Sequence, residues 1–312
     1  VKYCFYSLLW TGLALAQSDT TLYTTDINGR QVPEATYLSK NGDYTALTQS
    51  INGRQVPMQK SELHVLSETP TRKVTETIVR KYDGNGQVVS TERIVSDEQK
   101  RPGGSTTKAT IYRSDVNGTM QESERRTIDT QKQGDTTTSS VTISRPGLSG
   151  SFEPAEKRDV VTTVSGDTTH EVENIYRPSQ SGQFVEAARH ITEETKTPTK
   201  TTSTTANYEV DYTGKVSLAS QEVSKTIKAA NGTQVTTLDL YGLAPYGVAR
   251  SPQDGMKLKE QQTIVRQEGP GGAVTESTNV ARPTLADPTR LGPSQVISET
   301  VCTGKCGDQA KP

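Results

Sequence analysis

Thr77-Ile78-Val79-Arg80, Thr110-Ile111-Tyr112-Arg113, Thr142-Ile143-Ser144-Arg145 and Asn174-Ile175-Tyr176-Arg177 are four versions of one short strand. Their arginines fall 33, 32 and 32 residues apart, a period that marks a repeated supersecondary unit. A Gly-containing turn follows each: Asp83-Gly84-Asn85-Gly86, Asp115-Val116-Asn117-Gly118, 146–150 and 178–182. A polar return strand comes next, with Glu92-Arg93, Glu124-Arg125, Lys157-Arg158 or Arg189. Weaker continuations run over 208–217 and 236–250, and another near 279–282 is broken up by Pro283, Pro288 and Pro293. Upstream, Ile27-Asn28-Gly29-Arg30-Gln31-Val32-Pro33 recurs identically at 51–57, a second duplication with a spacing of 24.

Local chemistry favours β-hairpins. Asn-Gly stands at Asn28, Asn41, Asn52, Asn85, Asn117 and Asn231, and this dipeptide tolerates the positive φ angles of type I′ turns. Thr, Val, Ile and Tyr fill the runs between turns and suit a pleated surface. Runs such as 71–81 carry Lys, Glu, Arg and Thr on both sides, so the expected fold is all-β. It is an extended antiparallel meander of β-hairpin repeats of about 32 residues, partly disordered. The segments 194–205 and 251–312, rich in Pro, Gly, Thr and Lys, are expected to be the loosest.

Composition agrees with thin sheets. Hydrophobic residues make up 30% of the 312, against the ~45–50% apolar content of an ordinary globular domain. The formal net charge is only -1, with both signs interleaved, which excludes a dedicated nucleic-acid binder.

Lys2 followed by an apolar run over 5–15 and Ala14-Leu15-Ala16 predicts a signal peptide over 1–16, cut before Gln17. An initial Val suits a non-ATG start and a bacterial source. No further apolar run is long enough to cross a membrane as a helix, so the mature product is expected to have no transmembrane segment and to be periplasmic or secreted. Cys302 and Cys306 then remain as a predicted local disulfide. The expected organisation is an N-terminal region over 17–70, a hairpin-repeat region over 71–250 and a Pro/Gly-rich C-terminal region over 251–312.

The stretch Arg80-Lys81-Tyr82-Asp83-Gly84-Asn85-Gly86-Gln87-Val88 resembles the YD repeats of the bacterial RHS family. Asp26-Ile27-Asn28-Gly29-Arg30 and Asp211-Tyr212-Thr213-Gly214-Lys215 match in part, while the third and fourth repeats carry Pro146 and Pro178 in place of the Asp. The resemblance implies hairpins laid side by side in a long sheet, without catalysis by the repeats.

No catalytic, metal or cofactor motif is present. His64, His170 and His190 have no short ligand spacing. The neighbours Glu193 and Glu194 face opposite ways on a strand and cannot flank one bond. Gly269-Pro270-Gly271-Gly272 lacks the Lys of a phosphate loop. Asn117-Gly118-Thr119 and Asn231-Gly232-Thr233 match the glycosylation pattern but read as turns. Tyr82, Tyr112, Tyr176, Tyr208 and Tyr212 form a candidate binding stripe, with Tyr241 beyond them. The expected function is therefore that of a non-enzymatic structural or interaction protein of the cell envelope, contacting a protein or polysaccharide of the cell surface. A carbohydrate-binding module using the Tyr stripe is the alternative, and an enzyme with an unrecognised site the third.

Overall fold

The computed structural model describes residues 16–25, 30–40, 43–51, 54–211, 213–243, 255–269, 273–284 and 290–304. The predicted signal segment lies outside them, apart from its last residue. Eighteen strands follow in chain order: β1 (Ala16–Thr25), β2 (Gln31–Lys40), β3 (Tyr44–Ile51), β4 (Arg54–Thr69), β5 (Arg72–Tyr82), β6 (Val88–Arg101), β7 (Gly104–Ser114), β8 (Met120–Gln133) and β9 (Thr136–Pro146). The second half comprises β10 (Phe152–Ser165), β11 (Thr168–Pro178), β12 (Phe184–Lys196), β13 (Lys200–Val210), β14 (Val216–Lys228), β15 (Gln234–Gly242), β16 (Lys257–Glu268), β17 (Val274–Ala281) and β18 (Gln295–Gly304).

Each strand pairs antiparallel with its chain neighbours, and β1 also pairs with β18, so the sheet closes on itself. Across that seam Asp19 stands opposite Val301 and Thr20 opposite Thr300, whose hydroxyls lie 2.8 Å apart. Closure corrects the expectation of an open, extended meander. An open sheet would leave two rows of unpaired backbone groups, and a barrel removes them. The segments expected to be loosest contribute β12 and β13, and β16 to β18, because cross-strand hydrogen bonds on both sides offset their weak side-chain packing.

The two ends differ. One rim is built mostly from tight turns, as at Gln133–Thr136 and Ser165–Thr168, where Gly134 and Gly166 adopt φ of 59° and 56°, with a five-residue turn over Ala229–Thr233 between β14 and β15. Successive tight turns are laced together: the amides of Lys100, Lys132, Val164, Lys196 and Lys228 donate to Thr71, Gly103, Asp135, Asp167 and Thr199 carbonyls at 2.6–2.9 Å. The other rim has longer turns. In two of these Asp83 Oδ1 accepts from the Asn85 and Gln87 amides, and Asp115 Oδ1 from those of Asn117 and Thr119, all at 2.8–2.9 Å. Asn85-Gly86 and Asn117-Gly118 therefore serve five-residue turns, not the two-residue type I′ turns expected of them. The Asp115 position passes to Gly147 and Ser179 in the next two units, each of which donates its amide across the turn. Pro146 and Pro178 thus precede that position and do not replace the Asp. The turns at Asn28, Asn41 and Asn52 lie outside the described residues.

A β-bulge explains the curvature. At the long-turn rim the register shifts in each hairpin, β1–β2, β3–β4 and so on to β17–β18. In four consecutive hairpins the extra residue is Ser123, Ala155, Ala187 or Ala219, each 32 from the last. A bulge bends its strand and increases local twist, and a bulge repeated at one level around a sheet curls that sheet toward closure.

The faces are unequal. Ile111, Ile143 and Ile175 are buried, with Ile111 only 2% exposed, and share a face with buried Glu124 and Glu156. On the opposite face Lys108, Arg125, Lys157, Asp159 and His170 are exposed. Side chains on the concave side of a closed sheet converge and shield one another, so the Ile/Glu face is the inner wall. Strands pack essentially against their ladder neighbours, and no described element crosses the interior. With about 4.8 Å between strands and a tilt of about 40°, eighteen strands give a backbone diameter of roughly 36 Å.

Candidate functional site: the inner wall of the barrel

The 32-residue unit writes an ion-pair ladder onto the inner wall. Glu124 accepts from Arg126 Nε through Oε1 at 2.5 Å and from Arg145 Nε through Oε2 at 2.9 Å. One unit on, Glu156 accepts from Arg158 Nε at 2.7 Å and Arg177 Nε at 3.2 Å. Arg158 Nη1 continues to Glu173 Oε1 at 3.4 Å, and Glu173 Oε2 lies 2.9 Å from His190 Nδ1. One unit earlier Arg113 donates to Glu92 at 2.8 Å. Where the period would place a further Glu–Arg pair, Ala188 stands opposite Glu209. Between the charges run Thr and Ser positions such as Thr130, Ser139, Thr192 and Thr205, with hydroxyl contacts at 3.0 Å. Such a wall favours water and hydrophilic solutes over apolar ones.

These partners escaped the sequence-based expectation for one reason. Glu124-Arg125 reads as a charged pair, but adjacent strand residues face opposite walls. Arg125 points outward to Glu122, while the inner partners of Glu124 are Arg126, two residues on, and Arg145, 21 residues away. The detectable signal was the shared 32-residue spacing of Glu92, Glu124 and Glu156 with Arg113, Arg145 and Arg177.

The outer wall is polar as well. Arg72 forks onto Asp97 at 2.8 and 2.9 Å, Arg93 meets Glu76 at 2.6 Å, Arg101 pairs with Asp129, and Arg189 forks onto Glu186. Lys108, Asp129, Lys157 and Asp159 occupy the middle of their strands. Among the described residues neither wall carries a continuous apolar band.

Of the candidate stripe, Tyr82, Tyr112, Tyr176 and Tyr208 all lie on outward positions beside the long-turn rim, each at a bulge. Tyr241 follows the same rule, and Tyr212 lies outside the described residues. They are spread around the barrel and frame no common pocket. Cys302 is buried on the inner wall beside Val274. Cys306, and with it the expected Cys302–Cys306 bridge, lies outside the described residues. Among the described residues no three His, Cys, Asp or Glu side chains converge on a metal position.

No family model and no curated protein matches the chain. Solved structures do. OmpF of Salmonella typhi, in complex with daunomycin, aligns over 93% of this chain and 96% of its own at 7% identity, with a TM-score of 0.53. OpdQ of Pseudomonas aeruginosa covers the same shares at 7% identity and a TM-score of 0.49. The likeness to OmpF is one of fold.

It overturns several expectations. The YD/RHS resemblance fails, because the same turns join strands that close around a lumen and do not extend a sheet sideways. The reading as a soluble structural or interaction protein of the envelope, periplasmic or secreted, rested on the lack of an apolar segment of membrane length. That argument has no force for a barrel, whose strands satisfy their backbone groups among themselves. No described helix is long and apolar enough to cross a membrane, which says nothing of strands, so the expected absence of a transmembrane segment falls too. The carbohydrate-binding alternative and the surface-polysaccharide partner fall with the dispersed tyrosines.

Proposed function

We propose that the chain is a porin-type conduit, a closed β-barrel that carries small hydrophilic solutes along a water-filled lumen. The observation behind it is the hollow interior: eighteen strands surround a space that no described element crosses, lined with ion pairs, hydroxyls and carboxylates. After side chains are allowed for, a barrel of roughly 36 Å backbone diameter leaves ample width for hydrated ions. The fold-level likeness to OmpF supports this reading, and nothing in it requires a catalytic group.

The full chain, added to a planar bilayer in concentrated potassium chloride, is expected to give stepwise ohmic conductance and to release a small trapped dye from vesicles. Protein that associates with the vesicles yet produces neither conductance nor release would overturn the conduit.

A further inference from the structure

The first rung of the inner-wall ladder is incomplete. In the next two rungs both carboxylate oxygens are taken, Oε1 by the arginine two residues on and Oε2 by the arginine of the following strand. Arg126 and Arg145 serve Glu124 in this way, and Arg158 and Arg177 serve Glu156. Glu92 receives Arg113 alone, through Oε2 at 2.8 Å. Two residues on, at the position that Arg126 and Arg158 fill in later units, the chain has Ile94. Ile94 stands opposite Ile111 on the inner wall and offers no donor. Among the described residues no side chain donates to Glu92 Oε1. The gap adjoins a recess. Val79, Lys81, Ser90, Glu92 and Arg113, all on inner positions of β5, β6 and β7, line a cavity of about 310 Å3. Val79 faces Glu92 across the ladder, and Lys81 faces Ser90. Lys81 is exposed and enters no ion pair among the described residues, and Arg113 keeps more than half of its side chain open. A carboxylate oxygen without a donor therefore shares one small cavity with two cations.

We propose that this recess is a solute site of the lumen wall and takes small zwitterions of amino-acid size. The solute's ammonium donates to Glu92 Oε1 in place of the guanidinium that Ile94 does not supply. Its carboxylate accepts from Lys81 Nζ and from the Nη groups of Arg113, and a short aliphatic body lies against Val79. A plain anion leaves Glu92 Oε1 without a donor, and a plain cation meets Lys81 and Arg113 with like charge. Only a solute carrying both signs satisfies the whole set, so discrimination comes from the mismatched groups as much as from the matched ones. As a site reached through the lumen, the recess rests on the conduit reading and gives that conduit a preferred class of solute.

L-Alanine, propionate and ethylammonium form a matched set of probes: propionate lacks the ammonium and ethylammonium the carboxylate. Ligand-observed saturation-transfer NMR on the full chain in deuterated detergent micelles reads each affinity without passage across a bilayer. Alanine is expected to bind tighter than either fragment by about threefold or more. Glu92→Gln is expected to bring alanine down to the level of propionate. Lys81→Gln is expected to weaken alanine and propionate while sparing ethylammonium. Ile94→Arg completes the rung and is expected to remove the alanine preference, with Glu68→Gln, near the opposite rim, as an unaffected control. Absence of alanine binding, equal affinity for all three probes, or a preference that survives both Glu92→Gln and Ile94→Arg would overturn the site. Conductance of the same protein in a planar bilayer keeps the two readings apart. An alanine preference without conductance supports the recess and counts against the conduit, and conductance without the preference counts against the recess alone.

Discussion

Arg145 Nε donates to Glu124 Oε2 across two neighbouring inner-wall positions, 21 residues apart in the chain, at 2.9 Å. The same relation joins Arg113 to Glu92 and Arg177 to Glu156. Glu124 is the most enclosed carboxylate of the three, at 3% exposure, while its arginines are half exposed. Replacing it with Ala leaves two guanidinium groups facing each other without their shared acceptor. Removing one partner of a fully buried pair costs ~3–5 kcal/mol, and the open arginines reduce that here to about 1–3 kcal/mol. Glu68→Ala, which removes the carboxylate beside Lys73 at a largely exposed site, is expected to cost under about 0.5 kcal/mol. Chemical denaturation of both variants checks the difference, and equal midpoints would remove the structural role of the ladder.

Arg113, Arg145 and Arg177 keep more than half of their side-chain surface open on the inner wall near the long-turn rim. Replacing all three with Gln lowers the local positive potential. The reversal potential in a potassium chloride gradient is expected to move toward cation preference, with a permeability ratio changed roughly two- to tenfold. An unchanged reversal potential would mean that ions do not pass along this wall.

Asp211 opens the turn after β13. The Thr213 hydroxyl, then the Lys215 and Thr213 amides, hold its carboxyl below the ordinary range. A depressed folded-state value means that this contribution is fully present above the unfolded carboxyl's pKa, about 3.9, and is lost as pH falls through the lower folded value. The Lys215 amide resonance is therefore expected to titrate with a midpoint below that of an unstructured Asp peptide. Asp211→Asn, which keeps the acceptor, abolishes that titration. A midpoint at the peptide value would mean that the turn does not hold the carboxylate in solution.

One unit supplies two strands, one bulge and one register step, so the strand number is expected to change in twos. Deleting residues 147–178 removes β10 and β11 and joins Pro146 to the equivalent turn at Ser179. The product is expected to close as a sixteen-strand barrel with conductance lower by about a fifth, following the area of the lumen. Deleting Ala187 alone removes the extra residue of one bulge while Glu186 still faces Tyr176 and Phe184 still faces Pro178, so that variant keeps its wall faces, loses the local bend and is expected to close less stably. Conductance and thermal denaturation distinguish the two. A well-folded Ala187 deletion beside an unfolded unit deletion would reverse the argument.

Strands and turns were legible in the sequence because their determinants are local. Thr110 to Arg113 alternates within four residues, and Asp115 reaches its own turn amides. Closure was not legible. Thr20 meets Thr300 across 280 residues, and no feature near either one marks the other. The bulges at Ser123, Ala155, Ala187 and Ala219 bring the ends together, and a small residue every 32 positions is a faint signal within a Thr-rich chain. The aromatic positions were found as a series, but their arrangement around one rim depends on closure. The cross-strand rungs of the Glu–Arg ladder were hidden because Arg113, Arg145 and Arg177 stand one strand away from Glu92, Glu124 and Glu156.

The seam also removes any privileged starting point. Ala16 stands opposite Gly304, so the two ends of the strand series meet on the short-turn rim and a brief linker can join them. A ring of equivalent hairpins then has no first or last member. Chains reopened between Leu148 and Ser149, or between Gln180 and Ser181, are circular permutants that reach the same closed sheet by different routes. For such a ring, order along the gene is a matter of history, and order around the circumference is what the fold requires.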